Sequence, residues 1–236
     1  FPNFSYVLDE AVRRSALASE FDRVTCGLAF SLQVFCFVSG RSKRGLQILN
    51  AGVTAALRVG QPGVASSLLL QAANFAQRIG DKSKAHEALR QICSLPLDAA
   101  DPEFAGNVAY ARGSLAIDEG RPTEAEVHFI RASEHYSMTP SGVFESDGAE
   151  SRPVNLRMQA LALMERARIC EHSGRDREAL EVYSTSLSLI RKINDRVNVG
   201  TVLHQMGNCH ANLGDLASAY QSYVASTHRF FELGSA

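Results

Sequence analysis

The stretch MGNCHANLGDLASAYQSY, residues 206–223, decides the fold of this chain. Apolar and small residues recur at helical spacing on both sides of Gly214, which predicts two helices. Gly214 is expected to end the first helix, because glycine adopts a left-handed C-terminal turn at little cost. The small residues Gly207 and Ala219 would let the two helices touch, and Tyr223 would fill the space beside them. The stretch therefore predicts a helical hairpin.

The same pattern occurs five times. The turn glycines are Gly40, Gly80, Gly120, Gly174 and Gly214, spaced by forty residues except for a fourteen-residue insertion before the fourth. Five residues after them stand Gly45, Ala85, Ala125, Ala179 and Ala219, and nine after them stand Leu49, Leu89, Phe129, Tyr183 and Tyr223. Seven before them stand Gln33, Ala73, Gly113, Ala167 and Gly207, and four before them stand Cys36, Ala76, Ala116, Cys170 and His210. One hairpin cannot bury its apolar face alone, so the repeat predicts stacked hairpins.

Residues suited to helix starts follow the glycines. Asp81, Asp176 and Asp215 stand where a carboxylate favours exposed backbone amides, and Pro122 suits a first helical turn. The predicted repeat helices are 22–39, 42–59, 62–79, 82–94, 102–119, 122–137, 154–173, 176–193, 196–213 and 216–232.

With these columns the chain resembles the tetratricopeptide repeat family over residues 22–231. The resemblance implies an all-α fold, a right-handed superhelical solenoid of antiparallel helix pairs. The forty-residue period is similar to the subclass found in spindle-orientation and G-protein-signalling adaptors and in sensor domains of bacterial transcription regulators. Departures from the family pattern are Arg112 and Arg166 in a column that is usually bulky and apolar, and Gln33 and Gly45 in the first repeat.

We expect one solenoid domain over residues 1–236. Its parts are an N-terminal helix within 1–21, repeats at 22–60, 61–100, 101–137, 154–194 and 195–234, and a flexible insertion at 138–153. The insertion is rich in Ser, Gly, Pro and acids, which predicts a loop. It is either a tolerated surface insertion or a segment in which Val143 and Phe144 dock on the groove or a partner.

The family resemblance also implies a binding groove. In the family, residues ten, six, three and two before the turn glycine face the concave surface. The groove residues carried over are Asn74, Gln77, Arg78, Tyr110, Asp118, Arg168, Glu171, His172, His204, Asn208 and Asn212. Asparagine six before the glycine clamps a peptide backbone in the family, since an amide offers both a donor and an acceptor. Asn74 and Asn208 match that position.

The N-terminal end of this groove is apolar. Phe30, Val34, Phe37 and Val38 add to a helix that is already apolar. Either residues 1–20 or a preceding segment cover them, or they form a slot for an amphipathic partner helix. Along the rest of the groove, arginines would suit acidic partner groups, while Asp118 and Glu171 would suit basic ones.

Composition excludes several functional classes. The 24 basic and 25 acidic residues nearly balance, which argues against a nucleic-acid or membrane partner. Five cysteines without a Cys-x-x-Cys motif favour an intracellular setting, cytoplasmic or nuclear. The sequence has no metal-ligand motif, phosphate loop or nucleophile elbow, so we expect no enzyme activity, metal, cofactor or small-molecule substrate.

The sequence therefore predicts a non-catalytic protein–protein interaction scaffold. It would bind a peptide or helix of a partner in its groove, as part of a larger protein or complex. The alternative is a regulatory, sensor or structural arm of a multidomain protein, which senses a signal peptide or packs as an assembly subunit. An adaptor should bind an isolated peptide, whereas a structural arm should need its neighbouring domains.

Overall fold

The computed structural model describes residues 19–96, 101–138 and 154–234, and the single positions 6, 10 and 13. These residues form ten α-helices and no strand, which confirms the all-α prediction. The helices are α1 Ser19–Val38, α2 Ser42–Arg58, α3 Pro62–Arg78, α4 Lys82–Ser94, α5 Pro102–Asp118, α6 Pro122–Met138, α7 Val154–His172, α8 Asp176–Lys192, α9 Arg196–Asn212 and α10 Leu216–Gly234. The largest difference from prediction is at α1, which begins at Ser19 and not at residue 22.

The helices belong to two compact units, Phe1–Leu115 and Ala116–Ala236. In the first unit α1 packs on α2, α2 on α3, and α3 on α4. In the second unit α6 packs on α7, α7 on α8, α8 on α9, and α9 on α10. Helices that contact across three-residue turns must run antiparallel, so the predicted pairing is confirmed for α1 with α2, α3 with α4, α7 with α8 and α9 with α10.

Some predictions fall outside the described residues. The predicted N-terminal helix within 1–21 is described only at Ser19 to Phe21, where α1 begins, and at positions 6, 10 and 13. Of the insertion 138–153, only Met138 is described as the last residue of α6. The five repeat boundaries and the single-solenoid organisation stay predictions.

In two of the pairs a left-handed turn ends the second helix as well as the first. Gly214 has φ of +78°, and the N–H of Asp215 donates to the carbonyl of His210 at 2.9 Å. The same turn occurs at Gly60, with φ of +70°, and at Asn194, with φ of +53°. Asparagine is one of the few residues with a side chain that tolerates this region. Helices of 17 residues and three-residue turns thus give a twenty-residue half-repeat.

The predicted aspartates divide into two roles. Asp81 and Asp215 cap helices, because their carboxylates accept the backbone N–H of Lys84 at 3.0 Å and Ser218 at 3.1 Å. Asp176 differs, since it is the first residue of α8 and is buried. Its carboxylate accepts the side-chain amide of Asn212 at 2.9 Å, which ties α8 to α9.

Small residues allow close helix contacts against large aromatic rings. A methyl group at Gly207 would lie 2.6 Å from the ring of Tyr223, within one helix pair. At Gly45 it would lie 2.3 Å from the ring of Phe75, between successive pairs. The largest fully buried side chains are Tyr136, Tyr183, Phe75, Phe104 and Phe129. The repeat positions that hold small residues therefore pack against the positions that hold large aromatic residues.

Candidate functional site

Six of the seven predicted groove residues of the second unit lie on two helices. Arg168, Glu171 and His172 lie at the end of α7, and His204, Asn208 and Asn212 lie along α9. These six residues are called the second-unit surface below. The two helices are joined there, because the Asn208 amide donates to the Glu171 carboxylate at 3.4 Å. Arg168, His172, His204 and Asn212 are exposed, whereas Glu171 and Asn208 are half-buried.

The Asn208 side chain is held in one orientation by three neighbours. Its amide nitrogen donates to Gln205 at 2.9 Å and to Glu171, while its oxygen accepts the Tyr223 hydroxyl at 2.9 Å. Both amide hydrogens are therefore used within the protein, and one oxygen lone pair is left for a ligand. The sequence predicts a clamp that both donates and accepts, but this geometry leaves Asn208 as an acceptor only.

Glu171 is a second oriented acceptor. Its other carboxylate oxygen accepts the Tyr183 hydroxyl at 2.9 Å. Burial, and then the negative charge of Glu171, raise the pKa of Tyr183, so this hydroxyl stays a donor at neutral pH. A carboxylate offers about four acceptor positions, so Glu171 keeps capacity for a partner N–H or ammonium group.

The exposed residues of this surface carry further polar contacts. Arg168 forms an ion pair with Glu165 one turn away. His172 Nδ1 lies 2.7 Å from the carbonyl oxygen of Arg168, and the His204 ring packs at 5.4 Å from the Tyr223 ring. The surface therefore combines acceptors fixed by neighbouring helices with exposed imidazole and guanidinium groups.

In the first unit, three groove residues lie on α3. Asn74, Gln77 and Arg78 are all exposed and occupy positions three and four apart, so they share one helix face. Asn74 makes no side-chain hydrogen bond with the described part of the chain, so both its donor and its acceptor groups are available to a ligand. Tyr110 of α5 is half-buried. Asp118 is exposed at the end of α5 and belongs to the second unit.

Part of the predicted apolar slot is accessible. Phe30 is 38% exposed and Val34 is 61% exposed on α1, whereas Ala29 on the same helix is buried. The side chains of Phe37 and Val38 lie outside the described residues. Helix α1 therefore has a buried face and an accessible apolar face at Phe30 and Val34.

A charged cluster of the second unit was not predicted. Arg175 contacts Glu126 at 2.5 and 3.2 Å and Glu178 at 3.0 Å, and Arg166 contacts Glu178 at 2.9 Å. These four residues, the ionic cluster, join α6, α7 and the start of α8. The sequence signal was Arg166, which stands in a column that is usually apolar. Its ion pairs explain how a guanidinium is accommodated there.

The same place brings together three possible metal-ligand atoms. The carboxylates of Glu126 and Glu178 and the sulfur of Cys170 lie within 4.8 Å of one another. Burial raises the pKa of Cys170 to about 11, so its thiol is protonated at neutral pH and is a poor ligand. Arg166 and Arg175 already neutralise both carboxylates. The donor chemistry therefore fits an ion-pair cluster and not a cation site.

Replacing Glu126 with glutamine should weaken folding by about 1–3 kcal/mol at neutral pH. Two guanidiniums would lose their shared carboxylate, although their partial exposure limits the loss. Hydrogen bonding to Arg175 lowers the pKa of Glu126 in the folded chain. The stabilisation is thus present above the unfolded value of about 4.3 and is lost as pH falls through the folded value. Urea unfolding from pH 3 to 8 should show wild type and variant converging in acid.

The matched control is Glu181→Gln. Glu181 is an exposed residue of α8 outside the ionic cluster, so its replacement makes the same charge change. We expect an effect within about 0.5 kcal/mol at every pH. Equal losses for the two variants would show that net charge, and not the ionic cluster, sets the difference.

None of the helices in the described ranges is both long enough and apolar enough to span a membrane. No protein-family model matches the chain, and no curated protein matches it.

Solved structures define the fold class. The crystal structure of BtubC (BKLC) from P. vanneervenii matches with a TM-score of 0.67 and 13% identity, over 100% of this chain and 91% of that one. A crystal structure of kinesin light chain TPR-like repeats from Podosopora anserina matches with a TM-score of 0.50 and 14% identity, over 93% of this chain and 100% of that one. The chain therefore has the tetratricopeptide-like repeat fold.

Proposed function

We propose that this chain is a non-catalytic scaffold that binds an extended peptide or helix of another protein through the groove residues of its repeats. The observation that carries the proposal is the second-unit surface. Its half-buried acceptors, Glu171 and Asn208, are fixed by hydrogen bonds from Tyr183 and Tyr223. Fixed acceptors recognise backbone N–H groups and basic side chains with little loss of conformational entropy.

The first unit adds complementary groups. Asn74 presents both a donor and an acceptor to solvent, so it can pair with both groups of one peptide unit. Arg78 follows one turn later on the same face and suits a carboxylate of the partner. The proposed ligand is therefore a peptide segment with free backbone amides and mixed charge.

The first test uses peptides selected on the 236-residue chain from a random displayed library. A selected peptide that uses Asn208 of the second-unit surface should bind Asn208→Ala about tenfold more weakly, and one that uses Asn74 on α3 should bind Asn74→Ala about tenfold more weakly, because one hydrogen bond contributes about 1–1.5 kcal/mol. Fluorescence anisotropy with the labelled peptide measures both dissociation constants. The double variant Asn74→Ala, Asn208→Ala should lose affinity for peptides of either kind.

Asn50→Ala is the control for this test. Asn50 is an exposed asparagine of α2, the second helix of its pair, and lies outside the groove positions. Its replacement should change affinity less than about twofold. Selected peptides that bind the double variant as tightly as wild type would refute the groove as the binding surface.

A second candidate function is a structural arm of a larger assembly. The observation in its favour is the last helix, where Leu216, Tyr220 and Phe231 are more than 70% exposed. Exposed apolar groups of this size mark association surfaces. Under this alternative, selected peptides would depend on Tyr220 and Phe231 and would be indifferent to Asn74 and Asn208.

A further inference from the structure

A basic hollow lies at the opposite end of α9 from the second-unit surface. It has a volume of about 390 Å³ and is lined by Arg191, Asn194, Arg196, Val199, Arg229 and Glu232. Arg196 precedes Asn208 by twelve residues, which is about 18 Å along a helix. The hollow is therefore separate from the predicted groove residues.

Three elements of the second unit build the hollow. Arg191 lies in the last turn of α8, the turn at Asn194 follows, and Arg196 begins α9. The end of α10 is brought close because Gly200 leaves room for the Phe230 ring, 2.9 Å from where a methyl group would stand. The Ser226 hydroxyl donates to the Gly200 carbonyl at 2.7 Å and fixes the same approach.

The charges of the hollow are unbalanced. Its lining holds three guanidiniums and one carboxylate. Glu232 is engaged by Arg229 at 2.9 Å and by His228 at 3.4 Å. Within the described ranges, no carboxylate forms an ion pair with Arg191 or Arg196. Two exposed guanidiniums therefore face one hollow without an acidic partner.

The neighbouring acid Asp195 does not neutralise them. Its carboxylate caps α9 by accepting from the backbone N–H of Asn198 at 3.3 Å, and it contacts Arg157 at 3.2 Å. Asp195 is not among the residues that line the hollow. Arg191 and Arg196 keep their planar donor groups for an external anion.

We propose that the hollow binds an acidic peptide segment of a partner protein, with separate side-chain carboxylates on Arg191 and Arg196. The guanidiniums come from two helices joined by a turn, which suits spaced carboxylates along a peptide. Glu232 at the same lining would repel a compact phosphate dianion, while a peptide can place a backbone N–H beside it. The buried Val199 provides an apolar floor for the methylene groups of the ligand.

The test is fluorescence anisotropy of a labelled octapeptide in which four glutamates alternate with glycines. The 236-residue chain should bind it, and Arg191→Gln and Arg196→Gln should each weaken binding about tenfold. The control Arg177→Gln makes the same charge change on an exposed position of α8, about 21 Å from Arg191, and should cost less than about twofold. An equal loss in the control would overturn the proposal in favour of a net-charge effect.

Two further controls distinguish the acidic peptide from other ligands and the hollow from other sites. A peptide with glutamines in place of the glutamates should not bind, and inorganic phosphate should compete only at concentrations that act by screening. Phosphate binding that shifts the Arg191 and Arg196 side-chain NMR signals, without binding of the glutamate peptide, would overturn the acidic-peptide assignment. Asn208→Ala should leave glutamate-peptide affinity unchanged. Loss of affinity there would place this peptide on the second-unit surface, whereas failure at the hollow alone leaves the proposed groove function intact.

Discussion

Replacing Gly45 with alanine is expected to destabilise the chain by about 1–3 kcal/mol, although alanine is the better helix former. The added methyl group would stand 2.3 Å from a ring carbon of Phe75. Phe75 is fully buried, so its ring cannot turn away without displacing the surrounding core. Steric overlap therefore outweighs the propensity gain of about 1 kcal/mol. Urea unfolding followed by circular dichroism at 222 nm measures the difference.

Gly27→Ala is the matched control in the same unit. Gly27 lies within α1 and is exposed, and a methyl group there would meet nothing within 4 Å. This variant should be more stable than wild type by about 0.5–1 kcal/mol. The two substitutions are chemically identical, so opposite signs can come only from their surroundings. A stabilising Gly45→Ala variant would show that α2 and α3 do not pack closely at this glycine.

The helix ends could be predicted because they depend on local chemistry. The left-handed turn at Gly214 and the helix cap at Asp215 involve only their own backbone and the next turn of helix. Both roles can therefore be predicted from the neighbouring residues in the sequence. The equivalent turns at Gly60 and Asn194 were missed because the forty-residue columns were aligned on one helix of each pair. A twenty-residue comparison finds Gly60 at once. Asn194 is harder, because asparagine occurs often in sequence and only sometimes adopts the left-handed turn.

For the candidate site, the sequence could propose residues but could not predict how their side chains are hydrogen-bonded. The family resemblance predicts Asn208 as a groove residue, and that role stays a prediction. The structure places Asn208 half-buried beside Glu171. Whether this asparagine offers its donors to a ligand depends on Gln205 and Glu171, whose side chains accept from its amide nitrogen. The spacing of residues along the chain does not specify these side-chain contacts. The same position in the first unit, Asn74, is exposed to solvent.

The ionic cluster could not be predicted because its partners are distant in sequence. Glu126 and Arg175 are 49 residues apart, and the insertion lies between them. Only Arg166 was noticeable in the sequence, because it is a charged residue at a repeat position that is usually apolar. The repeat pattern does not indicate which residue pairs with it. Charged pairs across helices depend on side-chain length and local burial, which a repeat consensus does not record.

A buried polar group in the first unit provides the second large effect. Asn107 of α5 is 2% exposed, and its amide donates to the hydroxyls of Ser66 at 2.9 Å and Ser67 at 3.0 Å on α3. Ser67 in turn donates to Glu103 at 3.2 Å. Burial raises the pKa of Glu103, so this region already disfavours negative charge. Asn107→Asp keeps the side-chain shape but removes both donors and introduces a carboxylate.

We expect Asn107→Asp to destabilise the chain by about 2–4 kcal/mol at pH 7, because the hydroxyl oxygens of Ser66 and Ser67 would face an acceptor. Burial and the proximity of Glu103 should raise the folded pKa of the new carboxyl above its unfolded value of about 3.9. The electrostatic loss is then complete above the folded value and disappears as pH falls below the unfolded value. Urea unfolding at pH 7 and pH 4 measures this recovery.

Asn74→Asp separates burial from the charge change itself. Asn74 is exposed on α3 in the same unit, so the same substitution there should change stability by less than about 0.5 kcal/mol at either pH. A large loss of stability at both positions would show that the added charge itself is the cause. A loss of stability at Asn107 that stays the same at pH 4 would show that the missing hydrogen-bond donors, and not electrostatics, are the cause. Recovery in acid at Asn107 alone is the result that the contacts with Ser66 and Ser67 predict, since a protonated carboxyl can again donate to one hydroxyl.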